Sequence, residues 1–213
     1  MMQIVFFSLS ILLGFAAGFS AEHQMKTLRL FDGRTFKGWE GDTIKTWRIE
    51  DSAFVGGSLA EKVPHNEFLS TKRSFSNYIL RVKFKLLGQE GFINSGVQFH
   101  SRRIIDPPYE MTGYQADLGD GFWGSLYDES RRNKVLATGD TAAVRRALRR
   151  NEWNDYEVRS EGHRVQIFLN GNQTVDYTEE DLTIPQSGLI ALQIHGGGKA
   201  EVHFKDIILV ELP

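Results

Sequence analysis

The sequence predicts an all-β fold, a two-sheet antiparallel sandwich with one short helix. Three observations point there. Segments of alternating apolar and polar residues recur with the period of two that a half-buried strand requires. Turn signals rich in Gly and Asn separate them. The 21 glycines and 12% aromatic content suit short strands and tight turns, because Gly weakens helix interiors and aromatic rings fit pleated surfaces.

In chain order, Ile4 to Ala17 is an apolar stretch, followed by the small-residue site Gly18-Phe19-Ser20-Ala21 and polar Glu22, His23 and Gln24. This pattern reads as a signal peptide over residues 1–20, although Met1-Met2-Gln3 lacks the usual basic residue. The run is shorter than the roughly 20 residues of a membrane-spanning helix, so the mature chain is expected to be secreted or periplasmic with no membrane span. With no cysteine, neither a thiol-linked lipid nor a disulfide can form. One domain is expected over residues 26–213, within the usual single-domain size range. The balance of 25 basic against 27 acidic side chains carries no nucleic-acid footprint.

The strands follow from alternation. Ile79 to Leu86 places Leu80, Val82 and Phe84 on one face and Arg81, Lys83 and Lys85 on the other. From Asn94, NSGVQFHSR turns Val97 and Phe99 inward and Gly96, Gln98, His100 and Arg102 outward. Tyr114–Leu118, Tyr156–Ser160, Arg164–Leu169, Leu189–His195 and Val202–Val210 repeat the pattern. Turns are expected at Leu87–Gly91, Glu161-Gly162, Asn170-Gly171-Asn172 and Gly196-Gly197-Gly198. RVQIFLNGNQTVDY is a hairpin, because Asn-Gly supplies the positive φ angles of a tight turn. AAVRRALRR reads as a short helix capped by Asp140 or Thr141, its arginines a solvated face. Parity then places Arg81, Lys83, Gln98, His100, Gln115 and Asp117 on one face of a single sheet, above Val82, Val97, Phe99 and Ala116.

Gly119, Gly121 and Gly124 spell GxGxxG, but the following SLYD reads as turn and strand rather than a phosphate-binding helix. Asn172-Gln173-Thr174 is a sequon that its hairpin turn explains. No cofactor motif is evident. Carboxylates and histidines converging from separate strands leave a divalent metal open.

The densest cluster of polar and aromatic residues runs from Tyr109 to Arg132, YEMTGYQADLGDGFWGSLYDESRR. Carboxylates and amides there suit sugar hydroxyls, and flat rings suit the apolar faces of pyranoses. Asp120 and Asp128 read as turn chemistry. Gln115 and Asp117 share one strand face opposite Ala116 and Leu118, and Gln193 shares one with His195. Trp123 is placed at the sugar, while Trp39, Trp47 and Trp153 read as core or turn anchors.

LFDGRTFKGWEG, WRIEDSAFVGG, FSNYILRVKFKL, NSGVQFHSR, the Tyr109–Arg132 segment, EWNDYEVRSEG, RVQIFLNG and GLIALQIHGGGKAEVHFKDIILVEL occur in this order. Together, from about Leu30 to Leu212, they resemble the 3-keto-disaccharide hydrolase domain family. The resemblance implies a concanavalin A-like jelly roll acting on glycosides whose C3 hydroxyl is already a ketone. It also implies a separate sugar 3-dehydrogenase that supplies them. A C3 ketone acidifies the C2 hydrogen, so a base can remove it, the C1 group can leave, and water can add back. Asp117 or His100 is the candidate base and Glu129 the acid. Gln98, Arg102, Gln115 and Arg131 are candidates for the developing oxyanion, with Trp123, Tyr127 and His195 as substrate contacts. A lectin-like binding module, a structural or adhesive β-domain and two-carboxylate glycosidase chemistry with Asp117 and Glu129 are the alternatives. The leader expectation is checked by intact mass of secreted protein, which should lack about the first 20 residues; full-length protein in the membrane would refute it.

Overall fold

The computed structural model describes residues 25–213; the expected leader lies outside them. The strands are β1 (Lys26–Arg29), β2 (Trp39–Glu40), β3 (Trp47–Glu50), β4 (Ala53–Gly57), β5 (Glu67–Thr71), β6 (Tyr78–Gly91), β7 (Asn94–Arg103) and β8 (Met111–Gly119). After β9 (Leu126–Glu129) and β10 (Lys134–Ala137) comes the helix α1 (Thr141–Ala147). Then follow β11 (Asn154–Glu161), β12 (Arg164–Leu169), β13 (Asn172–Thr178), β14 (Leu189–Ile194) and β15 (Gly198–Glu211). They build two antiparallel sheets. One has the order β13-β12-β11-β6-β15-β4-β3, with β1 also on β15; the other runs β10-β9-β8-β7-β14-β5-β2. This is the expected jelly-roll sandwich. Among the described residues, no helix is long and apolar enough to cross a membrane.

Inward residues of both sheets interdigitate. Leu80, Val82 and Phe84 of β6 and Tyr156 and Val158 of β11 meet Val97 and Phe99 of β7 and Tyr114, Ala116 and Leu118 of β8 in one core. Trp39 and Trp47 are buried in it. Trp47 lies opposite Gly56 in the β3–β4 ladder, where any Cβ would come within 2.6 Å of the indole. Asp140 caps α1, its Oδ1 accepting the Ala143 amide at 2.6 Å. Asn170 and Gly171 take φ of 48° and 79° in the β12–β13 turn, as the hairpin pattern requires. On this side β10 and β13 approach one another and α1 packs on β13.

Three expectations are corrected. Leu87–Gly91 continues β6, because β15 pairs with it as far as Gly91, and the reversal falls at Phe92-Ile93. Arg81 and Lys83 stand on the sheet of β6, not that of β7 and β8, and pair with Glu157 (2.7 Å) and Asp155 of neighbouring β11. Parity assigns a face only within one sheet, and β6 and β7 belong to different ones. The third correction concerns β7 beyond Phe99, where a bulge interrupts the ladder between Phe99 and Arg102 with His100 at φ 47°. A comparable bulge between Lys205 and Ile208 in β15 moves the inward positions from Val202 and Phe204 to Ile207 and Leu209.

A buried polar cluster ties the sheets together. Glu179, just after β13, accepts from Tyr114 Oη (2.7 Å), Tyr177 Oη (3.2 Å) and Arg132 Nη2 (2.6 Å). Arg132 and Arg131 also hold the fully buried Asp128 of β9. Burial alone would raise the Glu179 carboxyl, but donors from Arg132, Tyr114 and the Asp181 amide outweigh it and hold it at about 2. That stability is present above about pH 4.5 and lost as pH falls through about 2. Glu179→Gln should cost on the order of 3 kcal/mol at pH 7, since it leaves a partly buried guanidinium short of its partner. In denaturant titrations the gap from the parent should shrink as pH falls.

Candidate functional site

The second sheet's outer face, away from the sandwich core, carries the polar side chains that parity selects. Every residue of β8 is buried, so this strand is covered on both sides. Two cross-strand rows organise the face. In one, Asp117, Gly96, Gln193 and Phe68 lie side by side on β8, β7, β14 and β5. In the other, Tyr127, Gln115, Gln98 and Ala191 do so on β9, β8, β7 and β14. Gly96 leaves the gap that Gln115 fills; a Cβ there would fall 2.4 Å from the Gln115 amide carbon. Gln193 Nε2 donates to Glu129 Oε2 at 3.4 Å, although β7 and β8 separate their strands. Flat strands would put them about 14 Å apart at the backbone, so the two long side chains reach towards each other across β7 and β8.

Asp117 and Glu129 are its reactive groups. Asp117 Oδ1 accepts from Asn94 Nδ2 (2.9 Å) and its neighbour's amide, Leu118 N (2.8 Å). Burial nevertheless pushes its carboxyl up to about 7, with Glu129 adding to the rise and Asn94, the Leu118 amide and Gln115 opposing it. Burial also lifts Glu129 to about 7, helped by Glu110 and Asp128 and opposed by Gln193. Two carboxyls near neutrality on one face can serve one as acid and one as base. Around them, Gln98 Nε2 and Oε1, Gln115 Oε1 and Gln193 Oε1 are buried without a partner among the described residues. A buried polar atom left unpaired costs about 1–3 kcal/mol, so these amides hold unspent hydrogen-bonding capacity beside the two carboxyls.

Asp117, Glu129, Gln98, Gln115 and Tyr127 thus come together on this face, and His195 stands at its end. The His195 backbone N–H donates to Asn94 O (3.1 Å), and its ring packs edge-on to Phe92 at 4.7 Å. Four other assignments are corrected. The bulge turns His100 inward, where Nε2 lies 3.1 Å from both Ser76 O and Ser160 Oγ. Burial lowers its pKa to about 4, so it stays neutral inside the sandwich. Arg102 is exposed beyond the bulge. Arg103 takes the outer-face position beside Met111 instead, and its Nη2 donates to Phe68 O at 3.0 Å. Arg131 pairs with Asp128 and lies 4.5 Å above the Tyr114 ring, on the core side. Trp123 stacks on core Phe84 at 6.2 Å, away from the carboxyl face.

Sequence reasoning missed Arg103, Asn94 and the site role of Gln193, and counted Glu110 only among the polar residues of the Tyr109–Arg132 cluster. Gln193 carried a usable signal, its shared strand face with His195; nothing in the sequence marks the bulge that brings in Arg103. Among the described residues, no three His, Cys, Asp or Glu side chains converge as metal ligands do.

Among solved structures the chain is similar to a candidate glycosyl hydrolase of Parabacteroides distasonis, at 20% identity over 88% of this chain and 94% of that one, TM-score 0.63. It is also similar to the carbohydrate-binding module CBM66 of Bacillus subtilis, at 16% identity over 80% and 93%, TM-score 0.60. A third is the β-glucanase of Bacillus licheniformis, at 10% identity over 90% and 100%, TM-score 0.55. Likeness at these identities speaks to the fold. A search of the curated proteins finds no match. The family model of the 3-keto-alpha-glucoside-1,2-lyase-like domain, in contrast, matches residues 26–210. With nearly the whole sandwich matched, the chain belongs to the 3-keto-alpha-glucoside-1,2-lyase-like domain family.

Proposed function

We propose that this chain is an exported enzyme that cleaves 3-keto-glycosides by elimination and hydration, with Asp117 as base and Glu129 as acid. The observation that carries the reading is the pair of buried carboxyls, both raised to about 7, beneath amides that lack partners. A group titrating near the working pH is the effective proton carrier.

Asp117 is anchored through Oδ1, and Oδ2, which carries neither of those bonds, takes the C2 proton. The electrons of that C–H bond form an enolate whose negative charge rests on the C3 oxygen. Gln98 Nε2, a buried donor without a partner, is suited to that oxygen. The enolate then returns its electrons, the C1–C2 double bond forms, the C1–O bond breaks, and Glu129 gives its proton to the departing oxygen. Water adds at C1 and a proton returns to C2, so hydrolysis is complete without direct displacement. The Oε1 atoms of Gln115 and Gln193 accept from sugar hydroxyls. A separate sugar 3-dehydrogenase supplies the ketone.

A plain disaccharide should remain intact while its 3-keto derivative is split, and turnover in D2O should leave deuterium at C2. Binding without turnover would identify a lectin, and a product free of C2 deuterium would refute elimination. Asp117→Asn should lower kcat on the order of 10²- to 10⁴-fold.

The same variant should also change the pH profile of stability. Asp117 sits at about 7 when folded, against an ordinary value of 3.8, so the folded state retains the proton that the unfolded chain releases. Its contribution is therefore full below about pH 3.8 and is lost as pH rises through about 7. Asn at this position should remove part of that decline, gaining on the order of 1 kcal/mol or more over the parent between about pH 4 and pH 7. Urea midpoints across that range provide the measurement.

A further inference from the structure

We propose a second carbohydrate site, selective for a uronate, in the cavity between the Asp120–Trp123 loop and α1. It is separate from the carboxyl face, since Trp123 packs towards the inter-sheet core and Asp117 projects from the outer face of its sheet.

The cavity measures about 510 Å³ and is walled by Asp120, Gly121, Trp123, Val144, Arg145 and Leu148 among others. That size is ordinary for a small-ligand pocket. Trp123 is held in place before any ligand arrives. One face of its indole lies over Phe84, with the rings 22° apart in plane, and its Nε1 donates to Asp120 Oδ1 at 2.9 Å. Asp120 is in turn gripped by Arg150, whose Nη2 and Nη1 donate to its two oxygens at 2.5 and 3.2 Å. An indole fixed in this way offers a flat surface to the apolar face of a pyranose. Val144 and Leu148 extend the apolar wall.

Charge decides which sugar. Asp120 and Arg150 neutralise each other, whereas the guanidinium of exposed Arg145 has no ion-pair or hydrogen-bond partner among the described residues. The cavity therefore presents one net positive guanidinium beside an aromatic platform. A guanidinium fork matches a planar carboxylate in two parallel hydrogen bonds, and a uronate carries that carboxylate on a pyranose.

Isothermal titration of the mature protein with trigalacturonate and with maltotriose tests the proposal. Trigalacturonate should bind about tenfold more tightly, the factor expected of one charge-assisted pair. Arg145→Gln, a surface change that leaves the fold intact, should erase that preference, and Trp123→Ala should abolish both bindings. Neither substitution should alter kcat/KM on a 3-keto-disaccharide. Absence of trigalacturonate binding would overturn the proposal, as would an Arg145→Gln variant that keeps the parent's preference for trigalacturonate over maltotriose. Loss of trigalacturonate binding in Gln98→Leu would overturn it too, because the sugar would then sit on the carboxyl face. If Trp123→Ala fails to fold, Arg145→Gln decides alone.

Discussion

Strand parity is the constraint on which the rest of this structure depends. A pleated strand can present a residue to the core or away from it, and its neighbours have no independent choice. Here the rule holds along β8, where Tyr114, Ala116 and Leu118 fill the core and Gln115 and Asp117 must face outward. It is broken at the bulges of β7 and β15. Each bulge exchanges the two faces for the residues beyond it. In β7 the exchange removes a histidine from the polar face and delivers Arg103 to it, so one irregular residue sets the chemical character of half a strand.

The cluster around Glu179 and the outer face of the same sheet use their buried polar atoms differently. In that cluster Asp128, Glu179, Arg131, Arg132 and Tyr114 are joined by ion pairs and hydrogen bonds into a brace between the sheets. On the outer face of the same sheet, amides are buried yet left open. Tyr114 and Gln115 are consecutive residues, so the brace and the open site share a strand. The rigidity gained on one side holds the unsatisfied groups on the other in fixed positions, as a preorganised site requires.

Much of this was legible in the sequence. Alternation located β6, β7, β8, β11, β12, β14 and β15, the Asn-Gly turn was correctly placed, and of the two cap candidates Asp140 is the one the helix uses. The short strands β1 to β5 and β10 are too brief for a period of two to stand out from noise. Within the site, Gln98, Gln115, Asp117, Tyr127 and Glu129 followed from parity or composition. His100, Arg102, Arg131 and Trp123 did not, nor did Arg81 and Lys83. A bulge at a non-glycine residue has no sequence signature, and the division of β6 and β7 between sheets depends on long-range pairing. Arg131 shows a further limit: a charge near a polar loop is as easily spent on an internal partner, here Asp128, as on a ligand.

The approach of β10 to β13 bears on how the molecule behaves in company. A sandwich has four sheet edges, each a row of free amides and carbonyls that could template another chain. Here the edges on one side lie against each other, with α1 against β13. On the other side the outermost strands are β1, β2 and β3, four, two and four residues long, and the β12–β13 ladder is itself bulged between Ile167 and Phe168. A neighbouring molecule therefore finds little straight, open strand on which to add its own. The domain can be crowded, with edge-to-edge aggregation suppressed by its architecture rather than by its nearly balanced charge.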